Sequence, residues 1–157
     1  MLRAGLVMLL LLLAGCSAGD GSEEPRDLRV ERISSDAPGQ GPRQPQQPQA
    51  VVATSAAALS GEVGANVPNS GSGTYLAAYW GEKPTGGYSM SVRSARLEGS
   101  RVTVRLALRE PPRDAILTQA LTYPYAVAVI RELDPGGKHF SFVDENGRAL
   151  GWPVRRV

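Results

Sequence analysis

Apolar and polar residues alternate along two neighbouring segments, and this alternation is the clearest structural signal in the sequence. Apolar side chains occupy positions 88, 90 and 92, and then positions 102, 104, 106 and 108. A period of two predicts β-strands with one buried face. The inward positions change parity before Ala95, so we predict a β-bulge near Arg93 and Ser94. The expected antiparallel register joins four pairs: Leu97 with Val102, Ala95 with Val104, Val92 with Leu106, and Met90 with Leu108.

A short helix and a strand are predicted before this hairpin. Apolar residues at positions 56, 59 and 63 have the three- and four-residue spacing of a helix face. Thr54 or Ser55 is the expected N-cap, and Gly64 can end the helix. Residues 74–80 are predicted to form a strand.

The patterns after the hairpin predict further strands. Residues 116–122 and 125–133 indicate two strands or one bent strand, with its corner at residues 123–125. Phe140 and Phe142 begin a last hairpin, which Asn146 and Gly147 close in a type I′ turn. The expected fold is mainly β (a β-rich α+β chain): an antiparallel sheet, a sandwich or a partial barrel with one short helix.

The beginning of the chain has the pattern of a secretory signal peptide. Arg3 precedes an apolar run over residues 6–14, too short for a bilayer core, which needs about 20 residues in a helix. The sequence Leu-Ala-Gly-Cys that ends at Cys16 resembles the bacterial lipobox. We therefore predict that residues 1–15 are cleaved off, with diacylglycerol on the Cys16 thiol and an acyl chain such as palmitate on its amine. Such a lipoprotein would lie on the cell membrane or the outer membrane, facing the periplasm or the exterior.

A polar tether is expected between the lipid and the folded part. Residues 16–49 are rich in proline, glycine and glutamine, a composition that buries too little apolar surface to fold. Three aliphatic residues within 28–33 leave a short strand as the alternative for that part. We predict a β domain over residues 50–133 and a β-hairpin extension over residues 134–157.

The composition excludes several classes of function. One cysteine among 157 residues excludes an internal disulfide, a cysteine-rich zinc site and an iron–sulfur centre. One histidine excludes a multi-histidine metal site, and we read His139 as a structural residue. A net charge of +2 does not suggest a nucleic-acid binder. The sequence carries no recognisable catalytic motif, so we expect neither an enzyme nor a cofactor, and we interpret residues 144–147 as a turn rather than a metal loop.

Arginine and aromatic residues mark two candidate surfaces. Arginines at positions 93, 96, 101, 105 and 109 should lie mostly on the outer face of the hairpin, as a solvated face with acidic neighbours or as an interface. The loop between Trp80 and Tyr88 has aromatic residues at both ends, which suits recognition, although both rings could simply cap the core. The candidate binding residues are Trp80, Lys83, Thr85, Gly86, Gly87, Tyr88, Tyr123 and Tyr125.

The same loop carries a family resemblance. The run from Tyr75 through Trp80 and the Thr-Gly-Gly-Tyr sequence at 85–88, followed by Thr-Tyr-Pro-Tyr at 122–125, resembles the C-terminal domain of PrcB-type protease-complex subunits. The resemblance implies a non-catalytic subunit that binds and stabilises an exported serine protease of the subtilisin type. Members of this family are often lipoproteins, and the family pattern supplies no catalytic residues.

Two alternatives remain open from the sequence. The segment from Pro84 to Tyr88 is also similar to a loop of chagasin-like cysteine protease inhibitors, although the asparagine of that loop is missing. A structural cell-envelope lipoprotein, in which the loop only connects two strands, is the other alternative.

Overall fold

The computed structural model describes residues 24–33 and 43–157. The predicted signal peptide and the lipidation site Cys16 lie outside the described residues. The ordered elements are nine strands and one helix within those ranges: β1 Arg26–Leu28, β2 Val30–Ile33, β3 Gln49–Ala53, α1 Ala56–Val63, β4 Gly73–Tyr79, β5 Ser89–Glu98, β6 Arg101–Arg109, β7 Tyr125–Arg131, β8 His139–Val143 and β9 Val154–Arg156.

The strands form two sheets that pack face to face. The first sheet has the order β1-β5-β6-β8, and the second has the order β2-β7-β4-β3-β9. Apolar residues from both sheets share one core between them, including Leu76, Leu97, Leu106 and Ile130. The prediction of a mainly β fold with one short helix is confirmed, and the described strands do not close into a barrel.

The helix covers the outer face of the second sheet. Leu59 and Val63 of α1 pack with Tyr75 and Val129 in a second apolar cluster. Because β4 is covered on both faces, all its residues after Gly73 are buried. The backbone N–H of Ala58 donates to the Ser55 hydroxyl, and α1 ends at Gly64, whose φ is 70°. The predicted helix and its caps are confirmed.

The central hairpin has the predicted register. All four expected pairs between β5 and β6 are present, and the register shifts between Val92 and Ser94. The change of parity in the sequence therefore located the bulge. The five hairpin arginines are exposed.

Two parallel strand pairs depart from the expected antiparallel arrangement. Strand β8 pairs in parallel with β6, and β9 pairs in parallel with β3. The last part of the chain therefore adds one strand to each sheet. The expected last hairpin is present as a short antiparallel contact: Val143 forms a bridge with Ala149, the Asp144 N–H donates to the Arg148 carbonyl at 3.0 Å, and the Leu150 N–H donates to the Phe142 carbonyl at 2.9 Å.

The predicted type I′ turn at Asn146 and Gly147 is wrong. A type I′ turn needs positive φ at both central residues, but only Gly147, with φ of 81°, has it. The Asp144 carboxylate instead accepts the backbone N–H groups of Asn146 and Arg148. The carboxylate thus organises the turn.

Residues 116–122 do not form the expected strand. Ile116 and Leu121 are exposed, and only Thr122 makes a bridge, with Lys83. Residues 28–33, for which a strand was the alternative to a tether, include the end of β1 and all of β2, and these two strands belong to different sheets. No helix among the described residues is long and apolar enough to cross a membrane.

Candidate binding surface

Two loops of the chain pair with each other at one end of the central hairpin. We call residues 80–88 and 110–124 the double loop. The Lys83 N–H donates to the Thr122 carbonyl at 2.8 Å, and the Thr122 N–H donates to the Lys83 carbonyl at 2.9 Å. The Gly86 N–H donates to the Thr118 carbonyl at 3.0 Å, and the Trp80 N–H donates to the Pro124 carbonyl at 2.9 Å. These backbone bonds hold the first loop against the second.

Side chains reinforce this pairing. The Thr122 hydroxyl donates to the Thr85 carbonyl at 2.8 Å. The Tyr123 hydroxyl donates to the Glu82 carboxylate at 2.8 Å, and this hydrogen bond raises the pKa of Tyr123 above its usual value. The two loops are therefore joined by polar groups along their length.

An aromatic pair and one lysine form the half-buried centre of the first loop. The rings of Trp80 and Tyr88 meet edge to face, with 5.6 Å between their centroids. The Lys83 ammonium lies 4.4 Å from the Trp80 ring centroid and 5.7 Å from that of Tyr88. Such cation–π contacts stabilise by about 0.5–2 kcal/mol, depending on desolvation. We call these three residues the aromatic–lysine cluster.

The surroundings of the cluster also shift the pKa of Lys83. Partial burial lowers the pKa of Lys83, and the nearby negative charge of Glu110 opposes this shift. The three side chains are partly accessible, not buried. An ammonium held against two aromatic rings can bind an anionic group, while the rings offer flat apolar area to the same partner.

The two adjacent glycines of the first loop have different roles. Gly87 has a φ of 86°, and a Cβ placed there would lie 2.8 Å from the Pro111 Cβ and 2.9 Å from the Leu117 Cδ2. Gly86 lies outside the positive-φ region, and a Cβ there would lie 3.7 Å from the nearest atom, in Thr118. Gly87 is therefore required for the close approach of the loops, and Gly86 is not.

The structure brings most of the predicted binding residues together. Trp80, Lys83 and Tyr88 form the cluster, and the other loop residues support it through the double loop. Tyr125 lies apart from the cluster and stacks on Tyr79, with ring centroids 6.0 Å apart. The Tyr79 hydroxyl is buried without a hydrogen-bond partner among the described residues, and burial raises the pKa of Tyr79 to about 12.

Residues of the second loop were missed by the sequence reasoning. Thr118 and Thr122 hold the first loop, but residues 116–122 were expected to be a strand. Ile116 and Leu121 on this loop are large apolar side chains that face solvent, with relative exposures of 104% and 55%. Apolar and polar residues do not alternate regularly over residues 116–122, and this was the signal against a strand.

Three of the five hairpin arginines make ion pairs with nearby acids among the described residues. Arg109 and Arg93 contact the Glu145 carboxylate at 2.7 and 3.7 Å, and Arg96 contacts Asp27 and Glu98. Exposed pairs of this kind contribute about 0–1 kcal/mol. His139 is exposed at the start of β8, and the described residues include no group of three metal-ligating side chains.

Comparison with known proteins gives a family match to the segment that contains the double loop. Residues 74–131 match the family model described as PrcB C-terminal. The resemblance recognised from the loop motifs is thereby confirmed over those residues, and the family suggests association with a protease complex. No curated protein and no solved structure matches the chain.

Proposed function

Starting from the match to the PrcB C-terminal family, we propose that the chain is a non-catalytic subunit that binds and stabilises an exported protease. The observation that supports this proposal is that the matched residues 74–131 contain both halves of the double loop. The aromatic–lysine cluster is therefore a feature of the segment that defines the family match.

The chemistry of the double loop suits binding to a folded partner. Aromatic residues are enriched at the centres of protein interfaces, and Ile116 and Leu121 add exposed apolar area on the second loop. The hydrogen bonds of Lys83, Gly86 and Thr122 fix the loops before binding. Less conformational entropy is then lost on association.

A lipid on Cys16 is the second part of the proposal. Several acyl chains, at about 0.8 kcal/mol for each buried methylene, would keep the protein on a membrane. The proposed location is the cell membrane or the outer membrane, facing the periplasm or the exterior. A partner with the chemistry of an exported serine protease of the subtilisin type would be bound there.

The half-life of the exported protease tests the proposed function. A deletion strain is complemented with the parent chain, with Lys83→Ala or with Lys138→Ala, and exported proteases are followed by pulse–chase labelling. Lys138, the only other lysine, donates to the Gly99 carbonyl at the opposite end of the hairpin and serves as the matched control.

We expect the deletion and Lys83→Ala to shorten the half-life of one exported protease, and Lys138→Ala to leave it unchanged. Urea unfolding of both variants shows whether Lys83→Ala acts by unfolding the chain. Unchanged extracellular proteolysis in the deletion strain would overturn the proposal. Inhibition of papain by the purified chain at micromolar concentration would favour the chagasin-like alternative instead.

A further inference from the structure

Three arginines converge on one acidic residue on the outer face of the first sheet. Arg109 contacts the Glu145 carboxylate through both of its terminal nitrogens, at 2.7 and 2.9 Å. Arg93 lies 3.7 Å from the same carboxylate, and the Arg105 guanidinium donates to the Glu145 backbone carbonyl. We call these four residues the arginine cluster. Because every guanidinium keeps its charge, the single carboxylate leaves most of the positive charge uncompensated.

Strands and a tight turn hold the arginine cluster in place. The register shift in β5 leaves Arg93 as an extra, exposed residue on the outer face. Arg105 and Arg109 share that face of β6, because side chains four positions apart in a strand point the same way. Glu145 follows β8 in the turn that the Asp144 carboxylate organises. The three guanidiniums are therefore brought together by the fold rather than by Glu145 alone.

Other acidic residues beside the cluster have partners of their own. Asp144 pairs with Arg148 at 3.7 Å, and the charge of Glu110, which follows β6, acts on Lys83. The excess of positive charge therefore stays at the arginine cluster.

The opposite balance of charge is found nearer the turn of the same hairpin. There Arg96 alone contacts two acidic residues, Asp27 at 3.2 Å and Glu98 at 2.9 Å. An ordinary solvated face with interspersed charges would have a similar ratio of arginines to acids at both ends. The ratio of three arginines to one acid is therefore a local property of the arginine cluster.

The contacts of the cluster indicate the chemistry of a ligand. The Glu145 carboxylate is an oxyanion held in two-point contact by Arg109, and the fork of a guanidinium fits phosphate oxygens equally well. Among the described residues, the Arg93 guanidinium has its ion pair at 3.7 Å but no hydrogen bond, so its donors are available. A terminal phosphate carries up to two negative charges and three acceptor oxygens, which matches the charge excess and the free donors better than one carboxylate does.

We propose that the arginine cluster binds a terminal phosphoryl group, whose oxygens replace the Glu145 carboxylate. The proposal does not depend on the proposed protease partner. A lipid with a phosphate headgroup and a soluble phosphate compound share this chemistry, and the experiment distinguishes these two sources. The competing explanation is that the arginines only form a charged, solvated surface.

Isothermal titration calorimetry with inorganic pyrophosphate tests the proposal on the full chain, purified in mild detergent at about 0.15 M salt. Dimethyl phosphate, which carries one charge, is the control ligand. The variants are Arg109→Gln and Glu145→Gln. Arg96→Gln is the matched control, because it removes an exposed arginine from the same hairpin where acidic residues are in excess. Urea unfolding checks that each variant is folded.

We expect one saturable site for pyrophosphate with a Kd at or below roughly 1 mM and at least about tenfold weaker binding of dimethyl phosphate. Arg109→Gln should weaken binding about tenfold or more, and Arg96→Gln less than about twofold. Glu145→Gln should strengthen binding severalfold, because it removes the competing carboxylate. No saturable binding, equal effects of the two arginine variants, or weaker binding by a folded Glu145→Gln variant would overturn the proposal and support a solvated surface.

Reconstitution of the chain in vesicles identifies the source of the phosphoryl group. The vesicles contain phosphatidylcholine alone or phosphatidylcholine mixed with phosphatidic acid, and amide exchange around Glu145 is measured in both. Slower exchange with phosphatidic acid, lost in Arg109→Gln, assigns a lipid headgroup. Equal exchange in both vesicles, together with pyrophosphate binding, assigns a soluble phosphate compound. Slower exchange that persists in Arg109→Gln contradicts binding of the lipid at the arginine cluster.

Discussion

The adjacent glycines Gly86 and Gly87 provide the sharpest test of the double loop. Gly87→Ala adds a Cβ at a φ of 86°, within 2.8 Å of the Pro111 Cβ and 2.9 Å of the Leu117 Cδ2. The left-handed conformation alone costs an alanine about 1–2 kcal/mol, and overpacking costs typically about 1–3 kcal/mol. If the loops stay paired, we therefore expect the free energy of unfolding to fall by about 2–5 kcal/mol. If the loops separate instead, the strain is relieved locally and the global stability changes little.

Gly86→Ala is the matched control. Its added Cβ would meet Thr118 at 3.7 Å, an ordinary contact, and its backbone does not need glycine. We expect a change within about 0.5 kcal/mol, or a gain of up to about 1 kcal/mol from the reduced entropy of the unfolded chain.

Urea unfolding measures the global effect, and amide exchange of Lys83 and Thr122 measures the local one. If the loops separate in Gly87→Ala while the sheets stay folded, these two amides exchange faster and the global stability changes little. Equal stability and equal exchange in both variants would refute the argument that Gly87 allows the close approach of the two loops.

Three further substitutions, the first with a matched control, test separate parts of the account. Thr122→Val removes the hydroxyl that donates to the Thr85 carbonyl and should lower the free energy of unfolding by about 1 kcal/mol, measured by heat or urea. Thr118→Val keeps the backbone carbonyl that accepts from Gly86 and should change this free energy by less than about 0.5 kcal/mol. Equal losses in the two variants would contradict the role of the Thr122 hydroxyl. Tyr79→Phe removes a buried hydroxyl without a partner among the described residues, so stability at pH 7 should be unchanged or higher. Burial raises the pKa of Tyr79 from 10.0 to about 12. Because the unfolded chain therefore loses this proton at a lower pH than the folded chain, the stability of the parent should fall as the pH rises from 10 to 12. The stability of Tyr79→Phe should fall less over that range, and identical pH profiles would show that Tyr79 does not contribute. Cys16→Ala should move the protein from the membrane fraction to the soluble fraction, and a variant that still fractionates with membranes would refute the lipid anchor.

The sequence predicted local structure well where one strand or helix faces a single core. The β5–β6 register followed from the alternation of apolar residues, and the bulge followed from the change of parity before Ala95. Ser55 and Gly64 marked the ends of α1 because capping depends on local backbone geometry.

Contacts between distant parts of the chain were not predictable in the same way. Strand β9 pairs in parallel with β3, about a hundred residues earlier in the chain, and no local pattern specifies that pairing. Residues 116–122 contain apolar side chains, but Leu117 packs against Gly87 while Ile116 faces solvent. A loop held by another loop has no regular period, so its structure cannot be read from periodicity alone.

The candidate site was predicted only where its residues are close in sequence, because contacts between distant loops leave no local pattern. Trp80, Lys83 and Tyr88 are close in sequence, so their proximity could be anticipated from one loop. The contributions of Glu82 and Thr122 depend on the pairing of two loops. Tyr125 was included among the binding residues with the Tyr-Pro-Tyr motif at 123–125, but it is the cross-strand partner of Tyr79 and stacks on its ring.

Site-specific photocrosslinking in intact cells tests most directly whether the double loop binds a partner protease. A photoreactive residue replaces Pro84, which is exposed in the first loop, or Ser100, which is exposed at the opposite end of the central hairpin, roughly 30 Å away along the strands. The account predicts that the probe at position 84 captures an exported protease, identified by mass spectrometry, and that the probe at position 100 does not. Capture of no protease at position 84, or equal capture at both positions, would contradict it.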